Sequence, residues 1–130
     1  MIEGIEKYYQ IIANAVNHSI LEDWKAAKLD AIFYDGSITY HAEYTREEDG
    51  KLRSLVTTAE SDRAFRDVRK LFKETGKPLW GQACFELEAT GRFNMKFGYD
   101  NCDENGDTHF DSEVWLKQSE ERHKRFIREH

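Results

Sequence analysis

The sequence predicts an α+β domain: a five-stranded, mainly antiparallel sheet with helices packed on one face, in the order α-β-β-β-α-β-β-α. Three observations lead there. Apolar residues recur at helical spacing near the N-terminus and again around residue 68, and two pairs of neighbouring segments alternate apolar with polar residues. The turns inside those pairs are too short to hold the crossover helices that parallel strands need.

Ile2, Ile5, Tyr9, Ile12, Ala13, Val16 and Ile20 fall three or four residues apart, one stripe on a first helix of four to five turns. After Asp23 the period shortens to two. Ala27, Leu29, Ala31 and Phe33 alternate with Lys28, Asp30 and Ile32, an Asp-Gly turn follows in "YDGS", and Ile38, Tyr40, Ala42 and Tyr44 then alternate with Thr39, His41 and Glu43. This reads as a hairpin with one buried and one solvated face. The polar turn "TREEDGK" leads to a third short strand around "LRSLVTT".

Thr57, with Glu60 three residues on, offers a capping box for a second helix, whose apolar positions are Phe65, Val68, Leu71 and Phe72. Arg63, Arg66, Asp67, Arg69 and Lys70 mark its outer face, and Gly76 and Pro78 end it. In the second hairpin Ala83, Phe85, Leu87 and Ala89 alternate with Gln82, Cys84, Glu86 and Glu88. After "TGR", Phe93, Met95, Phe97 and Tyr99 alternate with Asn94, Lys96 and Gly98. From about residue 112 a terminal helix is expected, with Trp115 and Leu116 at one end, Phe126 and Ile127 at the other, and "KQSEERHKR" between. Its interrupted stripe implies docking at the ends or partial exposure.

With 130 residues and no linker or repeat, residues 1–130 are expected to form a single domain. Eight Phe, six Tyr and three Trp place the chain outside the aromatic-poor composition of disordered proteins. A net charge of −6 argues against direct nucleic-acid binding, which needs clustered Lys and Arg. The N-terminus lacks the basic and apolar regions of a signal peptide, and no apolar run is long enough to span a membrane. A cytoplasmic protein with reduced Cys84 and Cys102 is therefore expected.

The charge is unevenly placed. Residues 98–113, "GYDNCDENGDTHFDSE", hold six acids and no Lys or Arg, so the nineteen bases and nineteen remaining acids elsewhere cancel. A calcium loop beginning at Asn101 fits at Asp103, Asn105 and Gly106, then fails: Ser112 stands where a bidentate acid is needed, and a strand rather than a helix precedes the loop. A solvated turn, with acids near a helix N-terminus, accounts for about three of the six. No catalytic motif is assembled, the five His lie in separate contexts, and Glu86, Glu88 and Cys84 read as one solvated strand face. No metal, cofactor or enzymatic turnover is expected. The remaining reading is a protein interface: carboxylates that steer a basic partner, interleaved with aromatic anchors.

The stretches "YYQIIANAV", "DWKAAKLDAIFYDGS" and "KPLWGQACFELEATGRFNMKFGYDN", followed by the acidic run, resemble the YezG-like immunity proteins of bacterial toxin systems over most of the chain. That resemblance implies a non-catalytic α+β fold and, as partner, a cognate toxin of the kind used in contact-dependent growth inhibition, usually a nuclease. The expected function is thus neutralisation of a basic RNase or DNase domain in a heterodimeric complex. The expected contact residues are Tyr99, Asp100, Asp103, Glu104, Asp107, Phe110, Asp111 and Trp115. A non-catalytic adaptor and a small-molecule-binding domain using the concave sheet face are the alternatives.

Overall fold

The computed structural model describes residues 2–34, 37–99, 120–121 and 124–126. Helix α1 (Glu6–Ser19) is followed by β1 (Trp24–Tyr34), β2 (Ser37–Arg46), β3 (Leu52–Ser54), α2 (Ala59–Glu74), β4 (Gln82–Glu88) and β5 (Phe93–Gly98). Residues 120–121 and 124–126 are also helical. The five strands form one sheet in the order β3-β2-β1-β4-β5, and every neighbouring pair is antiparallel. The expected α+β architecture is therefore the observed one, with β1 at its centre.

Both long helices lie against the face that the alternation marked as apolar. Ile12, Ala13 and Val16 of α1 and Ala64, Phe65, Val68 and Phe72 of α2 share one core with Ala27, Leu29, Ala31 and Phe33 of β1 and Ala83, Phe85 and Leu87 of β4. Trp80, fully buried just before β4, packs edge-on against Phe33 at 5.0 Å and lies 5.0 Å from the Phe97 ring. Aromatic pairs at such distances add to the gain from burial alone. At the outer strand the burial fades: Met95 and Phe97 pack partly against the core, while Phe93 is 42% exposed. It faces the predicted side, its ring 6.1 Å from that of Tyr9 and 5.6 Å from that of Phe85.

The ends of α2 show how local chemistry fixes an element. Its N-cap is Thr58, one residue beyond the expected Thr57: the Thr58 hydroxyl accepts the Ser61 amide at 3.1 Å, and no reciprocal bond from Glu60 is involved. Its C-terminus closes at Gly76, whose φ of 71° lets the Lys77 amide turn back to the Phe72 carbonyl at 3.0 Å. Arg69 does not sit on the outer face as the spacing implied. Its guanidinium lies 4.1 Å from the Phe33 ring centre, so a cation–π contact holds its stem along the helix–sheet seam.

The second face of the sheet departs most from expectation. Lys28 and Asp30, read as solvated, are 1% and 2% exposed, and Glu43 across from them on β2 is 8% exposed. Central strand β1 is thus buried on both faces. Phe126, 1% exposed and outside the core beneath α1 and α2, has its ring centre 5.7 Å from Lys28 Nζ, so the helical turn of residues 124–126 lies over this second face.

Candidate functional site

Two places in the fold gather side chains with chemical potential. The first is the outer margin of the sheet at β5. Gly98 ends this strand against Gln82; a Cβ on Gly98 would stand 3.3 Å from the Gln82 Cβ, and the Gly98 carbonyl accepts the Gly81 amide at 3.0 Å. Lack of a side chain there lets the strand close tightly on β4 and fixes how the chain leaves the sheet. Tyr99 follows, 47% exposed. Of the predicted contact residues, Tyr99 alone is among those described; Asp100, Asp103, Glu104, Asp107, Phe110, Asp111 and Trp115 lie outside the described residues.

Beside β5 runs an apolar groove of about 650 Å³ that sequence reasoning did not anticipate. Ile2, Ile5 and Tyr9 of the N-terminal segment and α1 form one wall, and Phe72, Phe93 and Phe97 the other. The Tyr9 and Phe93 rings meet edge-on at 6.1 Å. Burial pushes the Tyr9 phenol up to about 12, so it stays neutral. The only clue in the sequence was that the stripe of α1 begins at Ile2, before the helix itself.

The second place is the buried charge cluster. Lys28 Nζ lies 3.5 Å from Asp30 Oδ2 and 3.7 Å from Glu43 Oε1, and Glu43 is 3.9 Å from His41 Nε2. These are ion-pair separations without well-formed hydrogen bonds: Lys28 Nζ and both Asp30 oxygens have no hydrogen-bond partner among the described residues. Strand geometry produces the cluster. Lys28 is opposite Glu43 on β2 and Glu86 on β4, and Asp30 is opposite His41 and Cys84, so all project from one face. The alternation of Lys28 with Asp30 was visible in the sequence, and opposite charges two apart on a strand were the available sign of an internal pair.

This arrangement does not activate a nucleophile. Burial first, then the Asp30 and Glu86 carboxylates, hold the Cys84 thiol well above its usual range, and its sulfur is 3.9 Å from Glu86 Oε1. Among the described residues no group of three or more His, Cys, Asp or Glu side chains has the geometry to hold a metal ion. No described helix is long and apolar enough to cross a membrane. What the two places offer is shape and charge: an aromatic groove at an open sheet margin, and an acid-rich sheet face closed by Phe126.

No curated protein matches the chain. The family model described as "Immunity protein YezG-like" matches residues 56–121, from the approach to α2 through β4 and β5 and the whole acidic run. Matched residues include the capped helix, the Trp80-bearing turn and the aromatic hairpin that build the open margin, and they make up half of the chain: it belongs to the YezG-like immunity protein family.

Proposed function

We propose that this immunity protein works in the cytoplasm by binding a basic nuclease toxin domain, an RNase or DNase, and that residues 99–115 supply much of the contact. The uneven charge carries this reading: residues 98–113 hold the whole net charge of −6. Nuclease domains carry cationic clefts for their polyanionic substrates, and a concentrated acidic segment complements such a cleft and accelerates encounter at low salt. The exposed Tyr99 and Phe93, with the groove beside them, support placing apolar anchors next to the steering charges, the usual division between rim and core of an interface. In this reading Asp103, Glu104 and Asp107 pair with toxin Lys or Arg, Tyr99 and Phe110 are anchors, and Asp100, Asp111 and Trp115 border the contact.

Co-expression with the toxin encoded next to this protein tests the proposal. The wild type is expected to restore growth, whereas Asp103→Asn, Glu104→Gln and Asp107→Asn together should protect poorly, associate more slowly at low salt and keep the wild-type melting temperature. Full protection by the triple variant with an unchanged association rate would move the interface away from the acidic segment.

A further inference from the structure

The two margins of the sheet differ in kind. At one end β3 is three residues long, too short to template another chain, whereas β5 at the other runs for six residues and, among the described residues, pairs only with β4. The ladder to β4 fixes which way each peptide group of β5 points. Arg92 accepts the Glu88 amide at 2.8 Å and Gly98 accepts the Gly81 amide at 3.0 Å, so Arg92, Asn94, Lys96 and Gly98 turn their peptide groups toward β4, and Phe93, Met95 and Phe97 turn theirs outward. Side chains divide at the same positions: Phe93, Met95 and Phe97 lie on the helix-covered face, and Asn94 and Lys96 are exposed on the other. Phe93, 42% exposed, and Phe97 both line the apolar groove that runs along this margin.

We propose that β5 pairs antiparallel with β5 of a second copy, about a two-fold axis at Met95, and joins the two sheets edge to edge in the toxin-free protein. The outward peptide groups of Phe93, Met95 and Phe97 then bond to those of the second copy's Phe97, Met95 and Phe93. Pairing of outward groups allows only registers centred on a residue, and the neighbouring ones fail on charge. An axis at Asn94 sets Lys96 against Arg92, and an axis at Lys96 sets that lysine against its own copy. With Met95 at the axis, Lys96 faces Asn94 and Arg92 faces Gly98, so a cation stands where the acidic run leaves the sheet. On the helix-covered face Phe93 meets Phe97, and the two apolar grooves open onto each other. A strand from a basic partner fits less well, because the charges of the segment from Arg92 to Gly98 are both cations and repel it.

Sedimentation equilibrium of the full chain, purified without toxin, reads the association. The wild-type mass should climb from the 15.3 kDa of one chain toward twice that value as the concentration rises from about 1 μM to about 1 mM. Asn94→Asp should tighten the association about fivefold and Asn94→Lys weaken it about fivefold, since the axis repeats each altered pair with Lys96. Met95→Pro removes an outward N–H without breaking a bond to β4, and it should leave single chains at every concentration with an unchanged circular dichroism spectrum. If that variant does not fold, the two Asn94 changes carry the test alone. A wild type with the mass of one chain throughout overturns the proposal; loss of toxin binding by Met95→Pro in that case would assign the edge to a strand of the toxin. A folded Met95→Pro that still dimerises overturns it too, as does a dimer that both Asn94 changes leave within about twofold of wild type, which would be joined through another surface.

Discussion

Replacing Lys28 by Met leaves two carboxylates facing each other without their cation. At 3.5 Å to Asp30 and 3.7 Å to Glu43, the lost attractions are about 4–5 kcal/mol each at an effective dielectric constant of ~20. Most of that is offset by the dehydration of the ammonium, which Met does not suffer. The remainder is the penalty of uncompensated buried anions, roughly 3–5 kcal/mol for a pair broken from one side. Asp30 carries most of it, because Glu43 keeps slight access to solvent and lies beside His41. Adding Asp30→Asn to Lys28→Met should therefore cost less than the sum of the two single changes, by about 2 kcal/mol or more. Urea unfolding followed by fluorescence of the buried Trp24 and Trp80 measures this. The Lys28→Met midpoint should fall by roughly 2 M at an m value near 2 kcal/mol/M, and the double variant should recover part of the loss. Additivity within ~0.5 kcal/mol would show that Lys28 and Asp30 do not compensate each other, and the account of the second face would be wrong.

Two further outcomes are expected. Phe85→Ala, at a fully buried position between Leu29 and Met95, should cost roughly 3–5 kcal/mol, while Glu88→Ala on the other face of the same strand should change stability by less than about 0.5 kcal/mol; equal losses in denaturant melts would invert the assigned faces. Alkali should destabilise the protein: burial raises Tyr9 from 10.0 to about 12, and burial together with the bond donated to Asp62 Oδ1 raises Tyr40 further, so the stability these neutral phenols contribute is complete below pH 10 and is lost as pH climbs through about 12. Tyr40→Phe should flatten that decline and remove about 1–2 kcal/mol at neutral pH, and a stability profile level to pH 12 would contradict the assignment.

Periodicity made β4 legible residue by residue, because one of its faces lies on the core and the other does not: Ala83, Phe85 and Leu87 are buried and Gln82, Cys84, Glu86 and Glu88 half-buried. The same reasoning misread β1. Lys28 and Asp30 have the alternation of a wet face, but their cover, Phe126, comes from nearly a hundred residues away, and no local pattern encodes so distant a contact. Thr57 matched the spacing of a capping box to Glu60, yet Thr58 caps the helix, since adjacent threonines satisfy the same template and the Ser61 amide decides between them. For the candidate site, Tyr99 continues the apolar alternation of β5 in the sequence but lies exposed just past the strand's end, and the groove depends on the approach of α1 to Phe72 and Phe97, a juxtaposition of elements that a single chain of letters does not display.

The central position of β1 also governs when this molecule becomes competent. Its ladder to β4 joins residues between 50 and 62 positions apart, from Ile32 with Gln82 to Ala26 with Glu88. Until β4 has left the ribosome, the first hairpin has one side of its middle strand unpaired, and α1 lacks the floor on which it packs. At about 5–20 residues per second, Glu88 follows Ala26 by roughly 3–12 s, and distant pairing of this sort slows the search that comes afterwards. A nascent chain therefore offers no protection during translation. A cell that meets its toxin depends on copies finished beforehand, and the lag built into the strand order sets how early that stock has to be made.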